Sequence, residues 1–163
     1  MKRLGQIHLH AEVAGDPRFD RVLALADSNP DLAAVRAWVA GRPCIVAGST
    51  WPAEEAALAD WWPGPEVALI AAPHEVNPEH LDAVTRAFSA RVRRLSTPGP
   101  IEGEVLLIDG IGWLSRLYAV ADIAVVGGGF GKGIHNVLEP AAHGVPILVG
   151  PQTHRVREAQ ALE

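Results

Sequence analysis

Five short apolar runs constrain the fold of this chain more than any other feature: Cys44-Ile45-Val46-Ala47, Val67-Ala68-Leu69-Ile70-Ala71-Ala72, Val105-Leu106-Leu107-Ile108, Ile123-Ala124-Val125-Val126 and Ile147-Leu148-Val149. They are β-branched or aliphatic and almost free of charge. Strands buried on both faces have this composition, and such strands occur in parallel sheets covered by helices. Helix-period segments lie between them, at roughly 52–62, 78–94, 113–121, 136–143 and 154–162. The β-α-β-α alternation predicts an α/β fold, a Rossmann-like doubly wound parallel sheet. Residues 17–40 read as two short helices split at Asn29-Pro30, because a proline biases the residue before it away from helix. Residues 1–16 carry no periodicity and read as a strand plus loop or an unpacked tail. The helix pattern from Val156 is still running at Glu163, so the expectation is a single domain over residues 1–163, truncated at both ends.

Composition excludes several classes. With 163 residues and 48% hydrophobic, the chain has the means to build a core and does not resemble a disordered segment. Lys and Arg number 14 against 19 Asp and Glu, a net charge of −5, which argues against nucleic acid as a partner held by bulk charge. The single cysteine, Cys44, excludes a disulfide framework and a Cys-rich zinc site. The histidines (8, 10, 74, 80, 135, 143 and 154) show no metal-ligand spacing, so no metal is expected. No apolar stretch approaches the length of a membrane span and no signal-peptide pattern opens the chain, so a soluble intracellular protein is expected.

In an open α/β sheet, ligands bind outside the carboxyl ends of the strands. The residues after the first three runs are Gly48-Ser49-Thr50-Trp51-Pro52 with Glu54 and Glu55, then Pro73-His74-Glu75, then Asp109-Gly110-Ile111-Gly112-Trp113. The fourth run leads into Gly127-Gly128-Gly129-Phe130-Gly131-Lys132-Gly133-Ile134-His135-Asn136, and the fifth into Gly150-Pro151-Gln152-Thr153-His154. Glycine and small polar residues therefore gather on one edge of the predicted sheet.

The glycine-rich run is not a Walker A loop, which would need glycine at Val126 and Ser or Thr at Gly133. Nor is it a dinucleotide fingerprint, which would need a third glycine at Lys132. What remains is a loop carrying Gly129 and Lys132 whose backbone N–H groups suit a phosphate or carboxylate, or else a tight glycine turn without a ligand. Asn136 and Glu139 have the spacing of a capping box. The functional alternative has Glu139 accepting from sugar hydroxyls while Asn136 and the helix terminus hold phosphate, with His135 at the same mouth. Ser49 and Thr50 fit either an ordinary helix start or ligand contacts, and His74 either a surface loop or a contact. Trp61 and Trp62 cannot both face the core from one helix, so one is expected at an interface, where an artificial dimer could form. Arg91, Arg93 and Arg94 read as a solvated helix end.

Taken in order, the motifs Ala47-Gly48-Ser49-Thr50-Trp51-Pro52-Ala53-Glu54-Glu55, Ala72-Pro73-His74, Leu107-Ile108-Asp109-Gly110-Ile111-Gly112, Tyr118-Ala119-Val120-Ala121-Asp122-Ile123, His135-Asn136-Val137-Leu138-Glu139-Pro140-Ala141-Ala142 and Gly150-Pro151-Gln152-Thr153-His154 are similar to the nucleotide-binding half of the 3-deoxy-D-manno-octulosonic acid (Kdo) transferases. The resemblance covers roughly residues 12–163, because Val13-Ala14-Gly15-Asp16-Pro17-Arg18-Phe19-Asp20 resembles the start of that family's second domain. It implies a GT-B half-domain that takes CMP-Kdo, in an enzyme transferring Kdo to lipid A precursor during lipopolysaccharide synthesis at the cytoplasmic face of the bacterial inner membrane. No cofactor or metal is implied.

The resemblance assigns CMP contacts to Pro73 and His74, to Ile111, Gly112 and Trp113, and to Asn136, Val137, Leu138 and Glu139. Stabilisation of the departing CMP falls to the 127–133 loop with Lys132. The family's catalytic glutamate lies in a glycine-flanked motif of its N-terminal domain, and that motif is not found in these residues. This implies a donor-binding unit that holds CMP or CMP-Kdo without turnover and meets lipid A precursor only through that other domain. Arg is usual in the family where His74 stands, and Glu where Trp113 stands. Lys132-Gly133-Ile134 likewise replaces the more usual paired glycines before His135-Asn136. Two other readings fit the same residues: the nucleotide-binding half of another GT-B enzyme (a UDP-sugar transferase or an epimerase), or a non-catalytic association module.

Overall fold

The computed structural model describes residues 15–27, 31–131, 133–154 and 156–162. Two helices, α1 (Pro17–Asp27) and α2 (Ala33–Val39), precede β1 (Cys44–Thr50). Then come α3 (Pro52–Trp61), β2 (Ala68–Pro73), α4 (Pro78–Ala87), β3 (Val92–Arg94) and β4 (Val105–Leu107). The last part comprises α5 (Leu114–Leu117), which runs into a 3-10 turn over Tyr118–Val120, then β5 (Ile123–Val126), α6 (Leu138–Ala142), β6 (Ile147–Val149) and α7 (Arg157–Ala161).

All six strands are parallel in the order β3-β4-β2-β1-β5-β6. This is the doubly wound α/β sheet that the apolar runs predict. Successive side chains in a strand point to opposite faces, so the apolar runs of the inner strands supply two cores, whereas the fifth run forms the edge strand β6 and leaves Leu148 exposed. On one face Val46, Ile70, Leu106 and Ala124 pack with Leu32, Val35 and Trp38 around α2 and with Leu117 and Tyr118 around α5. On the other, Ile45, Ala47, Leu69, Ala71 and Leu107 pack against Leu58 of α3 and Leu81 and Val84 of α4. A smaller cluster of Val126, Ile134, Val137 and Ala159 secures the β5–β6 side.

Three expectations change. The helix expected over 78–94 ends at Ala87, and Val92–Arg94 becomes an edge strand paired with β4 in register Val92↔Val105, Arg93↔Leu106 and Arg94↔Leu107. Arg93 and Arg94 are therefore not a solvated helix end. Arg93 donates to the carbonyls of Thr97 and Pro98 (both 2.9 Å), and Arg94 pairs with Asp82 of α4. An edge position tolerates these charges because only one side of the strand is paired. The helix expected over 113–121 tightens after one turn, and that expected over 136–143 starts at Leu138. The prediction for residues 1–16 falls mostly outside the described residues, as does the split at Asn29-Pro30; α1 and α2 flank that split as expected. Trp61 is exposed, whereas Trp62 turns inward and donates to the Val67 carbonyl at 3.1 Å.

Strand order fixes where a ligand can sit. From β1 the chain moves outward to β2, and it later returns across β1 to lay down β5 on the other side. The crevice at the carboxyl ends of β1 and β5 is thus the topological switch point, where ligands of such sheets bind.

Candidate functional site

The switch point is assembled from the ends of β1, β2 and β5. A bulge between Gly48 and Thr50 interrupts the β1–β2 register, and Ser49 within it has φ of 52°. That left-handed conformation is uncommon for a residue with a Cβ. It separates the two neighbouring hydroxyls: Ser49 lines the crevice, while Thr50 is buried and donates to Glu55 Oε1 at 3.1 Å. The same Glu55 oxygen meets His80 Nε2 of α4 at 3.0 Å.

Trp51 Nε1 donates to His135 Nε2 at 3.0 Å, so two elements distant in sequence meet in one plane. His74, at the end of β2, stacks over both rings, with centroids 4.6 Å from Trp51 and 4.3 Å from His135. Accepting from the indole leaves Nδ1 to carry the proton of a neutral His135 ring. Burial pushes the His135 pKa below its usual value, neighbouring His74 lowers it further, and Glu54 acts in the opposite direction.

The glycine loop is held from inside. Glu54, buried in the first turn of α3, accepts from Gly128 N (3.0 Å) and Phe130 N (3.3 Å) through Oε1, and from Trp51 N (3.0 Å) through Oε2. Gly127 N donates to Gly48 O, and Gly131 N and Gly133 N both donate to Gly128 O. These amides are not available to a phosphate, contrary to the expectation for this loop. The physical reason is twofold: a buried Glu54 needs donors and takes the Gly128 and Phe130 amides, while the carbonyls of Gly48 and Gly128 take those of Gly127, Gly131 and Gly133. Gly129 packs backbone to backbone on Gly150, where a Cβ would meet Gly150 N at 2.5 Å. Lys132 lies outside the described residues.

α6 starts without a reciprocal capping box. Asn136 Oδ1 accepts from Leu138 N at 3.0 Å, and Asn136 Nδ2 donates to Glu139 Oε1 at 3.1 Å. The amide thus braces the carboxylate instead of both capping the helix.

These groups surround an open cavity of about 460 Å³. Ser49 and Val126 stand at the ends of β1 and β5, and His74 and His135 also line the space. Asn136 and Glu139 close one side, and Gly112, Leu114, Ser115 and Arg116 another. α1 adds Arg21 and Leu25, and the Tyr118 ring also borders the space. Burial, with a contribution from the nearby Glu139 charge, raises the Tyr118 pKa, so its hydroxyl stays protonated.

Six residues singled out from the sequence therefore share one cavity: Ser49, His74, Gly112, His135, Asn136 and Glu139. Others lie away from it. Thr50 and Pro73 are buried at the ends of β1 and β2, Val137 and Leu138 are buried beneath α6, and Ile111 projects into solvent at 90% exposure. Trp113 stands at the N-cap of α5 and is partly exposed. Sequence reasoning misses Glu54, Arg21 and Arg116 as parts of the site. An acidic residue in a first helical turn is ordinary in sequence, and only its burial marks Glu54. No sequence signal ties Arg21 or Arg116 to the cavity.

Comparison with known proteins gives a consistent answer. No protein-family profile matches the chain. The 3-deoxy-D-manno-octulosonic acid transferase of Bordetella pertussis is 31% identical over 161 residues, covering 90% of this chain and 37% of the relative. That of Haemophilus influenzae is 33% identical over 135 residues (74% of this chain, 30% of the relative). The Aquifex aeolicus enzyme is 49% identical over 59 residues, covering 36% of this chain and 17% of the relative. The chain thus spans well under half the length of each of these relatives. Among solved structures, the C-terminal CMP-Kdo binding domain of WaaA from Acinetobacter baumannii superposes with a TM-score of 0.68 at 25% identity, covering 87% of this chain and 77% of that one. By sequence and by fold, the chain belongs to the 3-deoxy-D-manno-octulosonic acid transferase family and corresponds to its C-terminal nucleotide-binding domain.

Proposed function

We propose that the chain holds CMP-Kdo in the β1/β5 crevice, as the donor-binding part of a glycosyltransferase that moves Kdo to lipid A precursor, and that these residues alone do not turn the donor over. The observation that carries this reading is the convergence of His74, His135, Asn136 and Glu139 on one cavity at the switch point. A Glu139 carboxylate braced by Asn136 is suited to accept from the vicinal hydroxyls of a ribose. The near-parallel His74 and His135 rings, which line the cavity and stack with Trp51, give it an aromatic surface besides that carboxylate. Inverting transfer also needs a base for the acceptor hydroxyl. The reading assigns that role to the glutamate of the family's N-terminal domain, not to a residue of this cavity.

Among the described residues, no helix is long and apolar enough to cross a membrane.

The test is a calorimetric titration of the folded chain with CMP and, in parallel, with UMP. CMP-selective binding that Glu139→Ala removes is the expected result. Binding of uridine nucleotides in preference to CMP would move the protein to another GT-B enzyme, and repeated turnover of CMP-Kdo with lipid A precursor by this chain alone would overturn the assignment of the base.

A further inference from the structure

The same cavity contains a charge arrangement that the family resemblance does not account for. Arg21, on α1, and Arg116, on α5, both line it, and α1 packs directly on α5 and α6. Neither guanidinium has an ion-pair partner among the described residues, where the ion pairs involve Arg18, His80 and Arg94. The contrast within α1 is informative. Arg18 lies one turn before Arg21 and is taken up by Asp16 and by Glu158 of α7. Across the cavity stands one carboxylate, Glu139, which is already accepting from Asn136. His135, with its pKa depressed, adds no positive charge near neutral pH. Two arginines without an ion-pair partner among the described residues, against one carboxylate in the lining, give the cavity an excess of positive charge in a chain whose net charge is −5.

The geometry points to Arg21 and Arg116 as a two-armed oxyanion clamp of the donor cavity, with α1 delivering one arm and α5 the other. The inference rests on the donor-site reading above and extends it to the recognition of negative charge. Guanidinium forks match the planar oxygens of phosphate and carboxylate, and such charge-assisted contacts are the strong ones. A CMP-linked sugar acid carries both groups, so the ligand chemistry is an oxyanion and the experiment identifies its source. The clamp also gives the Arg18–Glu158 pair a purpose, because it fixes the outer end of the helix that presents Arg21.

The experiment titrates the chain with CMP, with cytidine, and with free 3-deoxy-D-manno-octulosonic acid added to the CMP complex. Wild type is compared with Arg21→Gln, Arg116→Gln and the double variant. Arg86→Gln on α4, distant from the cavity, controls for net charge. Arg21→Lys and Arg116→Lys test for partial rescue, and thermal unfolding establishes that each variant is folded. If the clamp holds the phosphate, each glutamine variant binds CMP about tenfold more weakly, cytidine affinity is unchanged, and the salt dependence of CMP binding becomes shallower. If it holds the sugar carboxylate, CMP affinity is retained and the loss falls on the sugar acid. Equal affinities of wild type and both variants for CMP and for the sugar acid would overturn the clamp and leave the donor reading standing. A wild-type chain that binds no CMP would overturn the donor reading, and the clamp with it.

Discussion

The Glu54 carboxylate accepts the backbone N–H of Gly128 at 3.0 Å, joining the helix that follows β1 to the loop that follows β5. The two residues are 74 positions apart and follow β1 and β5, the two strands that flank the switch point. Glu54 also takes Phe130 N and Trp51 N, so one buried side chain sets the shape of the glycine loop and the start of α3 together.

Replacing Glu54 with alanine therefore orphans buried donors on both sides of the crevice. We expect a loss of about 2–4 kcal/mol in stability, read from urea unfolding. The loop should loosen ahead of the sheet, so amide exchange at Gly128 and Phe130 should accelerate more than exchange in β1. Unchanged protection at these two amides in Glu54→Ala would sink the anchoring role.

Gly129→Ala should destabilise the chain without any nucleotide present. A Cβ there meets Gly150 Cα and N at 2.5 Å, and neither backbone segment is the end of a flexible side chain. Overpacking of this kind costs about 1–3 kcal/mol. Gly131→Ala, in open space in the same loop, should cost far less. Equal melting temperatures for the two variants would show that the Gly129–Gly150 contact does not constrain the loop.

His135 makes stability depend on pH in a defined sense. Its pKa is lowered in the folded chain, chiefly by burial, from the usual 6.5, so between the two values the unfolded chain binds more protons. Stability from this group is complete above pH 6.5 and is lost as pH falls toward the depressed folded value. Urea midpoints measured at pH 7.5 and 5.5 should drop more for wild type than for His135→Gln, whose amide oxygen can still accept from Trp51 Nε1. Parallel pH profiles for the two proteins would contradict the assignment.

The strands and the crevice differ in how far they can be read from the sequence. β1, β2, β4 and β5 are legible because a strand covered on both faces must be apolar throughout, and that requirement is local; β6 shares the apolar composition although Leu148 at this sheet edge is exposed. β3 is not, because Val92-Arg93-Arg94 is short and mostly charged and becomes a strand only by pairing with β4. Ser49, His74, Asn136 and Glu139 are found by a rule about strand ends. The same rule passes over Arg21, which follows no strand and reaches the cavity only because α1 packs on α5 and α6.

Residue type and periodicity within short windows are enough to establish that the chain forms a parallel α/β sheet, which edge of that sheet is rich in glycine and polar residues, and which family those motifs resemble. Packing across the whole chain is needed to establish that β5 lies beside β1, that Glu54 occupies two amides of the glycine loop, and that Trp51, His74 and His135 stack as one group. Such contacts depend on which surfaces meet across scores of residues. A glutamate in a first helical turn carries the same local signature whether it ends in water or beneath a loop that needs an acceptor.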